Sequence, residues 1–279
     1  MTRMIPSSAG RVHVASSGKV SGPVVVLSSG LGGAWFDWIR TVELLEPHYR
    51  VIVFDRPGLG MSGPQHRDPS LAREVAVLDA VLRGVPPAVL VGHSMASLHI
   101  EAYARLRPGK VVGLVLVDPD TEVPGAGAPF DPSALVAQAL RAFGSRRLGA
   151  RITHRFGHRF RDFVVAASTL GDTDPAPADL VELVYRRPGV GRAILAELAS
   201  YPGQVATLER LRARRDLPDV PFHVLTAGRQ VWPEHLTLAG LTPWGRNVLV
   251  PGSRHMVQMD RPDAVYLAVR DVLRESPAA

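Results

Sequence analysis

Apolar residues in this chain fall in short unbroken runs rather than in alternation. The runs are VVVLSS (24–29), VIVFD (51–55), AVLVGH (88–93), GLVLVD (113–118), FHVLTA (222–227) and NVLVPG (247–252). Short β-branched runs of this kind read as strands buried on both faces, as in a parallel sheet. Each of the first four is followed by a loop and a helix-compatible stretch. That alternation predicts an α/β fold with crossover connections. RVHVASSG (11–18) alternates better and reads as an edge strand.

The interval between 113–118 and 222–227 is too long for a simple crossover, at roughly 100 residues. It contains helix-compatible tracts broken at Gly171-Asp172-Thr173-Asp174-Pro175-Ala176-Pro177. We read 1–120 and 219–279 as the core domain and 121–218 as a helical cap inserted over the sheet's C-terminal edge. Within it, Leu148, Ile152, Phe156 and Phe160 recur every four residues, and so do Arg147, Arg151, Arg155 and Arg159. This is an amphipathic helix with a basic face. The plain expectation is apolar side on the core and Arg side in water. Contact with an anionic membrane surface, or attraction of acidic substrates, fits the same pattern. Gly149 and Gly157 weaken the helix.

The composition excludes some chemistry. The 279 residues contain no cysteine, so disulfides, thiolate nucleophiles and Cys-bound metals are absent. Lack of cysteine also fits a reducing compartment. The formal net charge is +6, with Lys only at 19 and 110. No basic run is interleaved with aromatics, so the charge reads as a compositional bias toward Arg and no nucleic-acid partner is expected. No apolar run reaches membrane-spanning length, and MTRMIPSSAGRVHV lacks the apolar core of a secretory signal. The expected location is the cytoplasm.

The chemistry centres on VLVGHSMASLHIEAYARL (89–106). Gly92-His93-Ser94-Met95-Ala96 lies between a strand and a helix, where a tight turn exposes one side chain at the sheet edge beside helix N–H groups. Small neighbours are needed there, and Gly92, Ala96 and Ser97 supply them. The alternative is a serine that merely caps the helix.

Around this turn the chain resembles the α/β-hydrolase superfamily, in its lidded, serine-dependent, esterase- and lipase-like form. The resemblance rests on SSGLGGAWFDW (28–38), FDRPGLGMSG (54–63), VGHSMAS (91–97), GLVLVDP (113–119), VLTAGR (224–229) and VPGSRHMVQMDRPDAV (250–265), in the family's order. It implies a mostly parallel central sheet with helices on both faces and an inserted cap. It implies Ser94 as nucleophile, His255 as its base, and the backbone N–H groups of Leu31 and Met95 as oxyanion donors. The family often has His where this chain has Ser29.

The base needs an orienting carboxylate. Most members of the family place it beyond the strand at 222–227, in a G-x-x-D pattern, where this chain has Val231. Three candidates remain. Asp118 ends strand 113–118, sixth in the family's order, where some relatives such as haloalkane dehalogenases carry their acid. Asp120 lies two residues on, and Glu234 three beyond Val231. We favour Asp118. A turn-opening role at Asp118-Pro119 is its bland alternative.

His93 is expected to pack beside the pocket. His154 and His158 have a metal-ligand spacing, but with no third ligand and no H-E-x-x-H no metal is expected. The glycines at 30–33 fit neither a phosphate loop nor a dinucleotide fingerprint. Trp35, Phe36 and Trp38 are read as apolar pocket lining, and the loop 55–62 as structural only. The reading is a serine hydrolase for a small ester or acyl substrate with an apolar group, acting without a cofactor. A non-catalytic ligand-binding protein on the hydrolase fold is the alternative, for which Val231 is the best support. A cofactor-free lyase or perhydrolase is a third reading. Epoxide hydrolase and dehalogenase chemistry are disfavoured, because the nucleophile position holds Ser rather than Asp.

Overall fold

The computed structural model describes residues 1–120, 146–171 and 174–276. Eight strands form one sheet: β1 (Thr2–Ser7), β2 (Gly10–Gly18), β3 (Val24–Ser28), β4 (Arg50–Phe54), β5 (Ala88–His93), β6 (Val111–Val117), β7 (Phe222–Ala227) and β8 (Gly245–Val250). Their spatial order is β1-β2-β4-β3-β5-β6-β7-β8. The β1–β2 and β2–β4 pairs are antiparallel, and every other pair is parallel. This is the mostly parallel sheet that the apolar runs predict.

The segment 11–18 is not the edge. β1 pairs along its outer side, from Thr2↔Ala15 to Ser7↔Gly10. TRMIPS gave no signal because it is short in apolar residues and contains Pro6, which an edge strand tolerates.

Side chains alternate across the central strands, so each run feeds two cores. Val26, Ile52, Leu90, Leu114 and Leu116 belong to one cluster, with α2 (Leu71–Val81) and α3 (Ala96–Leu106). Val25, Leu27, Val89, Val91, Val115 and Val117 belong to the other, with Trp38 and α9 (Pro262–Glu275). The remaining helices are α1 (Ile39–Leu45), α4 (Arg146–Ser168), α5 (Ala178–Tyr185), α6 (Pro188–Arg212), α7 (Pro233–Ala239) and α8 (Val257–Asp260). Helix starts follow local chemistry. Ser70 caps α2 by accepting from Arg73 N–H, and prolines open α5's successor α6 and also α9.

Between β6 and β7, helices α5 and α6 dock on the loops after β3 and β4. Ala34, Phe36, Leu59, Val181, Val184, Tyr185, Val190 and Ala193 form their shared core. Phe36 and Trp38 are both fully buried in the packing beneath the loop. One sequence expectation fails here, on α4. Phe156 and Phe160 are exposed, at 45% and 56%, rather than turned to the core. The side of α4 that is buried carries Arg161 and Val165. A buried ion cluster sets this face: Arg161 reaches Asp37 at 2.6 Å, Asp174 at 2.7 Å and the Tyr185 hydroxyl at 3.0 Å. The exposed Arg151, Arg155 and Arg159 match the expected basic face. The side chains of Arg147, Leu148 and Ile152 lie outside the described residues.

Asp37 is fully enclosed, and burial lifts its carboxyl above the usual carboxylate range although Arg161 opposes the shift. Arg161→Ala would strand that carboxylate. We expect a loss of about 3–5 kcal/mol in urea unfolding, the cost of breaking a buried pair. A loss below ~1 kcal/mol would show that water or another cation reaches Asp37.

Candidate active site

The parallel strands β5, β6 and β8 end on one edge of the sheet, and each carries one of the residues singled out in the sequence. Ser94 follows β5. Its φ of 52° is the strained left-handed geometry of a sharp strand-to-helix turn. The turn is anchored by Ser94 N–H donating to Val117 O at 2.9 Å. It needs Gly92, because a Cβ there would lie 2.8 Å from Ala96 O.

Asp118 follows β6 and also has a positive φ, 41°. Its N–H donates to Leu225 O, and Ala227 N–H donates to its Oδ1 at 2.9 Å, so β7 fixes the carboxylate from the side. Its Oδ2 lies 2.7 Å from His255 Nδ1. The other two candidate acids stand elsewhere. Glu234 sits in the first turn of α7 with no described contact to His255. Asp120 accepts a long hydrogen bond, 3.4 Å, from the Ser94 hydroxyl. Among the described residues Ser94 and His255 share no hydrogen bond. Val231 thus leaves His255 no shortage of carboxylate: β6 supplies it in place of the loop after β7.

His255 lies in the loop after β8 and is steered from both sides. Its ring is held by Asp118, and its carbonyl lies 2.9 Å from His93 Nε2. A carbonyl only accepts, so His93 carries its proton on Nε2. The two rings lie 4.6 Å apart. His93 is buried, and burial with the neighbouring His255 lowers its pKa to about 3, so it stays a neutral strut. At His255, desolvation favours the neutral ring, but the hydrogen bond and charge of Asp118 outweigh it and raise the pKa above 6.5. At Asp118, burial works upward, while the His255 hydrogen bond and charge win and pull the carboxyl below its usual range. At Asp120, desolvation raises the pKa, aided by the Asp118 charge. His235 braces the turn between them, with Nε2 donating to Pro119 O at 3.0 Å.

The loop after β3 closes against the serine. A Cβ on Gly30 would lie 2.7 Å from His93 Nδ1 and 3.2 Å from Ser94 Cβ, so only glycine allows this approach. Among the described residues, neither Leu31 N–H nor Met95 N–H donates a hydrogen bond. Ser29, in the position where the family often has His, donates to Ala34 O at 2.8 Å and accepts from Trp38 Nε1 at 3.0 Å. The Trp35 ring packs near His13 and Phe36, at 6.1 and 5.9 Å.

Sequence reasoning gave no chemical role to the loop 55–62, yet two of its residues organise the site. Asp55 accepts from Trp35 N–H at 2.7 Å and Met61 N–H at 2.9 Å, and lies 2.8 Å from His13 Nδ1. Arg56 donates to Ser29 O and, at 2.7 Å, to Gly30 O, and it pairs with Glu197 of α6 at 2.6 Å. A motif such as FDRPGLG marks a loop but does not reveal which carbonyls its arginine holds.

His154 Nδ1 donates to Arg186 O at 3.1 Å. Among the described residues no cluster of three His, Cys, Asp or Glu could hold a metal. Likewise no described helix is long and apolar enough to cross a membrane.

Sheet order, the strained Ser94 turn and the crossover helices together define an α/β-hydrolase fold. The model of the alpha/beta hydrolase family matches residues 24–268, and the chain belongs to that family. Among curated relatives, the protein named "Putative carbamate hydrolase RutD" of Klebsiella pneumoniae strain 342 is 36% identical over 111 residues, 39% of this chain and 42% of that protein. The chain thus spans less than half the length of that relative. Uncharacterized protein YqjL of Bacillus subtilis strain 168 is 26% identical over 255 residues, 90% of this chain and 84% of its own. Among solved structures, wild-type Cfl2 from Burkholderia cenocepacia superposes with a TM-score of 0.79 at 22% identity, covering 97% of this chain and 94% of that one. That likeness concerns the fold.

Proposed function

We propose that this chain is a serine hydrolase that cleaves a carboxylic ester or related acyl compound through an acyl-enzyme. The observation that carries the reading is the 2.7 Å bond from His255 Nδ1 to Asp118 Oδ2, at the sheet edge where Ser94 stands in its strained turn. With Nδ1–H donated to Asp118, Nε2 of His255 is left bare and serves as the base. Ser94 Oγ attacks the carbonyl carbon as His255 takes its proton. The negative charge on the carbonyl oxygen falls to the Leu31 and Met95 N–H groups, which have no other described partner. Collapse expels the alcohol, which takes the proton from His255. Water then enters by the same route and releases the acid. Every step uses side chains, backbone and water alone. The Ser94 hydroxyl must turn from Asp120 to His255 when substrate arrives, as catalytic hydrogen bonds in empty sites often do.

The helices between β6 and β7 act in this reading as the cap that selects the small-molecule substrate. RutD relatives point to carbamates as the second acyl class to assay, since a carbamate carbonyl suffers the same attack.

The reading has a pH signature. The base must be neutral, and Asp118 raises the His255 pKa. As pH falls through that raised value, the imidazole protonates and activity is lost. For p-nitrophenyl esters and aryl carbamates we therefore expect kcat/KM with an acid limb centred above 6.5. No turnover of either class, over acyl chains from acetyl to dodecanoyl and from pH 5 to 10 (roughly the span of the relevant side-chain pKa values), would remove the proposal.

A further inference from the structure

The proposed oxyanion donor Leu31 N–H sits in a peptide unit that has no strand or helix to hold it. A turn bond, Gly33 N–H donating to Gly30 O at 3.0 Å, holds it locally, and a buried side chain holds it from outside the loop. Gly30 C=O and Leu31 N–H belong to one planar trans peptide, so they point in opposite directions. Whatever fixes Gly30 O therefore aims Leu31 N–H. Arg56 Nη2 donates to Gly30 O at 2.7 Å, and its Nη1 donates to Ser29 O. The next peptide unit is pinned too, by Gly32 N–H donating to Glu197 Oε2 at 2.9 Å. Glu197 holds Arg56 in turn, through Nε–Oε1 at 2.6 Å and Nη2–Oε2 at 2.9 Å. Both side chains are almost wholly out of contact with water, at 2% and 1% exposure. From α5, Tyr185 OH donates to Gly32 O at 3.0 Å.

We infer that the Arg56–Glu197 pair is a positioning device for the oxyanion donor, joining helix α6 to the loop after β3. The inference rests on the proposed function. One member comes from the loop after β4 and the other from the helical segment, so docking of α6 adds a side-chain clamp to the turn bond that Gly33 N–H makes to Gly30 O. A guanidinium on Gly30 O also polarises the peptide and strengthens Leu31 N–H as a donor. Neither residue touches substrate; both act through the backbone. The fork geometry is required, because a lysine ammonium cannot span two carbonyls and a bidentate carboxylate.

The test separates aim from stability. Active sites are titrated with a fluorophosphonate, so that kcat refers to folded, competent enzyme only. In Arg56→Lys and Glu197→Gln we expect kcat per titrated site to fall by about 10- to 100-fold, with KM changed by less than about 3-fold, because the donor acts on the transition state. Affinity for a trifluoromethyl ketone, whose adduct carries the oxyanion, should fall in parallel. The acid limb of the pH profile should stay in place, since His255 and Asp118 are untouched. A second variant, Arg56→Met with Glu197→Leu, removes the pair without leaving a buried charge and should regain stability. Its kcat should remain low. Full recovery of kcat with stability, or normal kcat in the single variants, would make the pair merely structural and overturn the inference. If the wild-type protein is never labelled, the proposed function fails first and takes the role of the pair with it. A labelled wild type with normal variants sinks the pair alone.

Discussion

Ser94→Ala is expected to abolish ester turnover while leaving the fold unchanged. The expected loss in kcat is on the order of 10⁶-fold, the scale seen when a triad nucleophile is removed. No other hydroxyl replaces it. Ser97 is buried, and its hydroxyl donates to Gly92 O at 3.1 Å inside the turn. Asp120, the Ser94 hydroxyl's partner at 3.4 Å, loses only a long bond. Unfolding by urea should therefore stay within about 1 kcal/mol of wild type. The measurement is kcat/KM on a p-nitrophenyl ester beside a urea curve. Activity retained above roughly one part in a hundred would point to another nucleophile, since loss of the whole triad leaves far less.

Asp118→Asn is the second large effect. An amide at this position keeps the shape, but its Nδ2 can present a donor to His255 Nδ1 and so favour the wrong tautomer. The expected cost is about 10⁴-fold in kcat, as for the equivalent change in a serine protease triad. The pH profile gives an independent sign. Asp118 holds the His255 pKa above 6.5. Without that charge, desolvation is opposed by the Asp120 charge, the smallest of the influences that raise the pKa, and the acid limb should move to lower pH. Asp120→Asn and Glu234→Gln serve as comparisons. Either one matching Asp118→Asn in both rate and pH shift would transfer the orienting role and refute the assignment.

The parts of the molecule legible in the sequence were those with a local cause. Val25, Val26, Leu27 and their counterparts in β5 and β6 are β-branched or aliphatic because both faces of the strand are covered. A run such as VVVLS therefore announces itself. The turn at Ser94 is legible because only small residues fit on either side of it. Asp118 stood out because it ends an apolar strand beside the serine's strand, and the bond to His255 joins residues 137 apart. Fold class and family follow from these features.

What was not legible depends on contacts between distant polar groups. Arg56 and Glu197 are 141 positions apart, and nothing near either announces a partner. The face of α4 was misjudged for the same reason. Periodicity marks Phe156 and Phe160 as core, but Asp37 and Asp174 pull Arg161 inward and turn the phenylalanines outward. Pro6 hid β1, which displaced β2 from the edge assigned to it.

The most direct test of the account is the site of covalent labelling. The wild-type protein is incubated with a fluorophosphonate, digested and mapped by mass spectrometry. An activated serine displaces fluoride, so one phosphonyl group should appear on the peptide containing Ser94 and nowhere else. The labelling rate should rise with pH through the His255 titration. An unlabelled Ser94, or a label on another residue that tracks loss of activity, would contradict the assignment of Ser94 as nucleophile.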